Sequence, residues 1–251
     1  MSTLLVDIGN TRAKWGLLRD GQLAARGAIA HRGAAARDWP RAMDDLGSDL
    51  DRILVSNVAG PGVAHALGEW ALGRHGVRAE FLKASANAAG LQNSYAHPES
   101  MGVDRWLGMI GAWRRARGPL VCIAAGTAMT VDAVDANGRH AGGLIVAGYE
   151  MMIEALMSRT SDIAAGVAVE KPRACGQLGC NTASAIELGA CQALAGAAER
   201  AVRWFAGQVG ADPKVYLGGG DATRLEPLLD LGCELAPDLV LEGLAAMAAG
   251  G

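Results

Sequence analysis

At 251 residues, with 51% apolar and 20% charged residues, the chain can fold and bury a core as one large domain or two lobes, which excludes a disordered protein. A net charge of −3 excludes an overall basic field for nucleic acid. The five cysteines include no CxxC pair and no His lies near Cys175 and Cys180 in sequence, so scattered reduced thiols are expected rather than structural zinc.

The N-terminal stretch reads as a strand, without a basic region followed by an apolar segment, so a secretion signal is not expected. No run approaches the roughly 20 apolar residues that span a bilayer, so a soluble cytoplasmic protein with no membrane or nucleic-acid partner is expected. Thr3 to Leu18 opens the fold: an apolar run ends in Asp7-Ile8-Gly9-Asn10-Thr11, and Ala13 to Leu18 pairs back as a second strand. A carboxylate at a buried strand's end, followed by turn amides and a hydroxyl, suits a metal–phosphate group, with Lys14 adding positive charge. An ordinary hairpin with Asx-type turn chemistry is the alternative reading of this stretch.

Arg19-Asp20-Gly21 then reads as a turn, Gln22 to Ile29 as a third strand, residues 35–46 as a helix, and Arg52 to Val58 as a buried strand. Pro61 opens a helix that carries Val63, Leu67, Trp70 and Ala71 on one face and ends near Gly76, and Arg78 to Leu82 is a short strand. Residues 83–101 form a long polar connection, a length that is often functional. The next helix, Val103 to Arg117, places Val103, Trp106, Ile110 and Trp113 at core spacing.

The second half repeats this opening. Strands Leu120–Ala124 and Met129–Val134 flank the small-residue turn Ala125-Gly126-Thr127, and Asp135 to Gly138 turns into a third strand, His140–Val146. The match of Gly9 and Gly126 predicts an internal duplication. A helix (Tyr149–Ser158), a flexible link and a helix from Thr182 to about Phe205 follow, the last with Ile186, Ala190, Ala193, Leu194, Ala197 and Ala201 on one face. Strand Lys214–Leu217 ends in Gly218-Gly219-Gly220-Asp221, and helices Thr223–Leu231 and Val240–Ala248 flank a short strand, Cys233–Leu235. Two such α/β lobes, 1–118 and 119–251, are expected to face one another with a nucleotide's phosphates between the two glycine turns.

No GxxxxGK[ST] occurs, no GxGxxG follows the first strand, and HExxH and GxSxG are absent, which removes P-loop, Rossmann, zincin and α/β-hydrolase chemistry. The motifs Asp7-Ile8-Gly9-Asn10-Thr11, Gly102-Val103-Asp104-Arg105, Ala125-Gly126-Thr127-Ala128 and Gly142-Gly143-Leu144-Ile145 resemble, in order and spacing, those of type III pantothenate kinases. Asn93-Ser94-Tyr95 with Pro98, Asn181-Thr182 and Gly219-Gly220-Asp221-Ala222 extend that resemblance over nearly the whole chain.

The resemblance implies an α/β fold of two ribonuclease-H-like, actin-like (hexokinase-like) lobes with mixed sheets, a homodimer, and transfer of phosphate from ATP to pantothenate in the first step of coenzyme A synthesis. It implies Asp104 as the base that takes the acceptor's proton, where a helix-start acid is otherwise a cap or dipole partner. Arg105 is implied in substrate or phosphoryl binding, with Gly102, Val103, Tyr95 and Thr182 around pantothenate. It places ATP phosphate and Mg²⁺ at Asp7, Ile8, Gly9, Asn10, Thr11, Arg12, Ala13 and Lys14, with Asp7 as metal ligand, directly or through water. Thr127 is implied to bind phosphate in the second lobe, and Gly219 and Gly220 to pass close to the adenosine.

Three departures stand out. Ala124 replaces the family's Asp, a ligand for K⁺ or NH₄⁺, so the monovalent-cation site lacks its carboxylate. Ala147 stands where Pro is usual, and Gly218 where Thr often precedes Gly-Gly-Asp. A non-catalytic nucleotide-binding regulator on the same scaffold, or a kinase of this superfamily for another small acceptor, are the alternatives.

Overall fold

The computed structural model describes residues 2–30, 39–46, 50–160, 174–175 and 178–250. They form two compact units: Met1–Gly118 with Ala136–His140 and Asp238–Gly251, and Pro119–Asp135 with Ala141–Pro237.

In the first unit, β1 (Ser2–Ile8), β2 (Arg12–Arg19), β3 (Gln22–Ala30), β4 (Arg52–Asn57) and β5 (Ala79–Phe81) form one sheet in the order β3-β2-β1-β4-β5. β1 runs antiparallel to β2 and parallel to β4. Leu4, Leu5, Val6 and Ile8 are all fully buried. The run is continuous rather than alternating because both faces of this central strand are covered. Ile53, Val55, Leu67 and Ala71 close the same core, the last two from α1 (Pro61–His75), as the sequence spacing requires.

The expected helix over 35–46 is a 3₁₀ helix, Trp39–Leu46, and residues 35–38 lie outside the described ones. The connection 83–101 holds a two-residue hairpin, β6 (Asn87–Ala88) with β7 (Leu91–Gln92), and a 3₁₀ turn at Pro98–Ser100. α2 (Val103–Arg115) buries Val103, Trp106, Ile110 and Trp113, so the tryptophans pack in the core.

The second unit repeats the first sheet: β8 (Leu120–Ala125), β9 (Ala128–Val134), β10 (His140–Ala147), β13 (Lys214–Gly218) and β14 (Glu234–Leu235) take the order β10-β9-β8-β13-β14. Here too the leading strand, β8, is antiparallel to β9 and parallel to β13. α3 (Tyr149–Arg159) precedes the expected flexible link, most of which lies outside the described residues; within it β11 (Ala174–Cys175) pairs with β12 (Leu178–Gly179).

α4 (Thr182–Val209) runs past Phe205 to its cap, Gly210, whose N–H donates to Ala206 O at 2.9 Å. Its buried face is Ile186, Ala190, Leu194, Ala198, Val202 and Phe205, while Ala193, expected on that face, is exposed. The expected helix Thr223–Leu231 is only α5 (Ala222–Leu225) followed by a 3₁₀ turn, Glu226–Leu228. Glu226 still has helical angles (φ −47°, ψ −52°), and the break falls at Pro227, which has no N–H to donate to Thr223 O.

The last helix, α6 (Leu239–Ala248), belongs to the first unit, not to the sheet it follows in sequence. It packs on α2 almost backbone to backbone. A Cβ added at Gly243 would stand 2.0 Å from Leu107 O, and one at Gly111 2.2 Å from Leu239 O. Arg115 Nε also donates to Glu242 Oε2 at 2.7 Å across the pair. Gly243→Ala is therefore expected to destabilise the protein by about 1–3 kcal/mol or more, since main chain cannot yield as a side chain does. Urea unfolding would read this as a lower midpoint, and an unchanged midpoint would contradict the contact.

Candidate active site

The first phosphate-turn candidate lies where β1 ends. Gly9 N–H donates to Arg12 O at 3.1 Å, which closes the turn over Gly9 to Thr11 and returns the chain into β2 at Arg12. Ile8 and Ala13 are buried core residues, so only their backbone is available to a ligand. Asp7 stands opposite Lys14 on one neighbouring strand and opposite Ser56 on the other. The fully buried Ser56 hydroxyl donates to Asp7 Oδ1 at 2.9 Å.

Asp7 keeps partial solvent access, yet its acidity is strongly altered. Burial pushes its carboxyl up to about 6, the Ser56 hydrogen bond opposes this, the negative charge of Asp104 raises it further, and Lys14 lowers it. Asp7 and Asp104 are thus electrostatic neighbours, though 97 positions separate them in sequence.

Asp104 is not the cap of α2; that position is Gly102, whose carbonyl accepts from Trp106 N–H at 3.2 Å. Asp104 sits in the first turn, and its Oδ1 accepts from the Arg105 backbone N–H at 2.8 Å. Arg105 is buried, and its Nη1 donates to Tyr95 Oη at 3.0 Å, with the guanidinium carbon 5.7 Å from the Tyr95 ring centre. Tyr95, Asp104 and Arg105 thus form one connected group, with Asp7 coupled to it through charge.

In the second unit the matching turn is one residue tighter: Gly126 N–H donates to Ala128 O at 3.2 Å, two positions on, where Gly9 reaches three positions on to Arg12. Gly148, just after β10, donates to Thr127 O at 3.0 Å, and a Cβ there would lie 2.1 Å from Gly126 O. Gly219 has φ +97°, and a Cβ on it would fall 2.0 Å from Ala125 O. Only glycine fits on both counts, whereas Gly220 meets nothing. Gly218, where a Thr was noted as usual, would bring a Cβ within 2.8 Å of Ala236 O.

Ala124 faces Thr130 and Gly218 in register, neither of them a carboxylate. Thr182 is the first residue of α4 but does not cap it: Asn181 and Ser184 form the capping box, with Ser184 N–H donating to Asn181 Oδ1 at 3.0 Å. Thr182 lines a groove of about 820 Å³ with Ala147, Met152, Leu156 and Ile186.

Three contributors escaped the sequence reading, Ser56, His140 and Gly148, while Ser94 was read only as part of a motif. Ser56 had a signal, a hydroxyl interrupting the apolar run of β4. His140, whose Nδ1 lies 2.9 Å from Ser94 Oγ, had none, because its partner is 46 positions away. Cys122, Cys191 and Cys233 are free thiols as expected, but Cys180 is disulfide-bonded, beside the hairpin that folds β11 back on β12. No described helix is long and apolar enough to cross a membrane.

Comparison with known proteins gives this geometry a family. The structure resembles, at a TM-score of 0.62 and 17% identity, a Sinorhizobium meliloti structure named for 2-dehydro-3-deoxygalactonokinase, over 99% of this chain and 98% of that one. Component A of (R)-2-hydroxyglutaryl-CoA dehydratase from Acidaminococcus fermentans follows at 0.52 and 18%, over 98% and 96%. At these identities the likeness shows the fold alone, which is actin-like. In sequence the chain is 39% identical over 252 residues to a type III pantothenate kinase of Nitrosococcus oceani, covering 98% of this chain and 93% of the relative. The sequence model of the type III pantothenate kinase family matches residues 3–204, and the chain belongs to that family: it uses ATP to phosphorylate pantothenate in coenzyme A synthesis.

Proposed function

We propose that Asp104 is the proton acceptor of this reaction, taking the proton of the 4′-hydroxyl of pantothenate as that oxygen attacks the γ-phosphoryl group of ATP. The observation that carries the assignment is the group Asp7–Asp104–Arg105–Tyr95: two electrostatically coupled carboxylates, one on a strand end and one on a helix start, with a buried guanidinium beside the second. Arg105 offsets charge on the transferring phosphoryl group, and Tyr95 packs its ring on the pantoyl methyls. Thr182 meets the polar end of pantothenate from its groove.

Gly9, Asn10, Thr11 and Arg12 hold phosphate oxygens by amide, hydroxyl and side-chain contacts, assisted by Lys14, and Thr127 holds one from the second unit. Gly219 and Gly220 lie along the adenosine. Asp7 receives the Mg²⁺ that arrives on the nucleotide, directly or through water. The donor set fits: a strand-end carboxyl held up to about 6, with the Ser56 hydroxyl on one oxygen, is relieved by a cation. When bound, that ion neutralises charge on the β- and γ-phosphates. A monovalent cation does not fit in the same way, because Ala124 and its register partners supply no carboxylate.

The protein works in the cytoplasm as a homodimer in this reading. An apolar surface on the second unit supports the dimer: Ile145 (62% exposed), Leu178 (75%), Met151 and Leu156 are open to solvent.

Asp104→Asn is expected to lower kcat by about 10²–10⁴-fold while ATP affinity stays within about threefold, since the phosphate cradle is intact; near-normal turnover would reject the base. Activity is expected to be equal in Na⁺ and K⁺ salts, and a steep rise with K⁺ would contradict the reading of Ala124.

Asp7 yields a pH prediction. Its folded pKa of about 6 exceeds the ordinary 3.8, so the folded chain holds this proton more tightly than the unfolded one. The stability so contributed is fully present below pH 3.8 and is lost as pH rises through 6. Asp7→Asn, which cannot ionise, is expected to be more stable than wild type at neutral pH by roughly 1–3 kcal/mol, yet to lose Mg–ATP turnover. The stability difference should fade on acidification through 6, and a pH-independent difference in thermal unfolding would reject the assignment.

A further inference from the structure

His140 opens β10 as its most buried residue, 1% exposed, on a strand that is otherwise largely open to solvent. The turn before it is laced to the loop that carries Tyr95: Gln92 N–H donates to Gly138 O at 2.8 Å, and Gln92 bridges Arg139 in parallel. This brings His140 Nδ1 within 2.9 Å of Ser94 Oγ and its ring centre within 5.9 Å of the Tyr95 ring, tilted by 39°. On the other side of Ser94, Tyr95 N–H donates to Asn93 Oδ1 at 3.0 Å, and Asn93 N–H to Ala86 O at 2.9 Å. The segment 93–95 is therefore tied down at each residue, and its outer end, the Tyr95 hydroxyl, accepts from Arg105.

We propose that His140 is a positioning residue for the acceptor site. Through Ser94 and through its ring it fixes the orientation in which Tyr95 meets both Arg105 and pantothenate, which rests on the reading above that Tyr95 contacts that substrate. The ring nitrogen, not the volume of the ring, carries the effect: a histidine that merely filled the core would be replaced best by leucine, whereas a positioning histidine is replaced best by asparagine, whose amide reaches the place of Nδ1.

Steady-state kinetics on His140→Leu, His140→Asn, Ser94→Ala and Tyr95→Ala separates these cases. His140→Leu and Ser94→Ala are expected to raise the pantothenate KM by about fivefold to tenfold, the worth of one hydrogen bond, with kcat and the ATP KM within about twofold. The double variant should be no worse than either single one, because both remove the same bond, and His140→Asn should recover most of the loss. Should His140→Leu fail to fold, Ser94→Ala reads the same bond. Leucine equal to or better than asparagine, or ATP and pantothenate KM rising together, would overturn the proposal. A raised KM in Tyr95→Ala with none in Ser94→Ala or His140→Leu would reject the role of His140 alone. An unchanged KM in Tyr95→Ala would instead reject the substrate contact on which it stands.

Discussion

The pairing of the leading strand in each sheet governs the rest of the structure. β1 and β8 each have an antiparallel hairpin partner on one side and a parallel strand from later in the chain on the other. At such a junction the strand's C-terminal end is followed by a glycine turn, Gly9 in the first unit and Gly126 in the second, each closed by its own N–H on a carbonyl just ahead. Both units satisfy their junction in the same way. Ile8 O accepts from Val58 N–H at 3.0 Å in the first, and Ala125 O from Asp221 N–H at 3.0 Å in the second.

The two junctions share a backbone but not a chemistry. Asp7 and Ala124 each stand two residues before their turn glycine. Around Asp7 the register places Lys14 and Ser56; around Ala124 it places Thr130 and Gly218. The first unit therefore carries the charge and the second supplies mainly backbone and hydroxyl groups. A carboxylate at position 124 would have stood in register where Asp7 stands in the first unit, but Ala124 has only Thr130 and Gly218 beside it. The coupling of Asp7 to Asp104 has a further consequence. Two neighbouring carboxylates repel, which adds to the cost of ionising Asp7.

α6 shows how the fold protects this arrangement. The chain leaves the first unit, builds the second, and returns with a helix that covers α2, the helix bearing Asp104. Gly111 and Gly243 allow the two backbones to touch, so the position of α2 is fixed by main-chain contact rather than by adjustable side chains.

The sequence by itself determined the elements that local chemistry dictates. The apolar run into Asp7, the repeated glycine turns, the spacing of Leu67 and Ala71, and the ordered motifs that mark the kinase family are all written in short stretches, where period and turn residues are enough. It overreached where a local rule was passed over, as at Pro227, or where a helical face was drawn too broadly, as at Ala193. Tertiary structure alone decided that Ser56 bonds Asp7, that Asp104 perturbs Asp7, that His140 meets Ser94, and that the last helix belongs to the first unit. Each of these joins positions far apart in the chain through strand register or helix packing. Periodicity carries no record of a contact between residues that no local pattern links, so these pairings emerge only when the sheets are assembled.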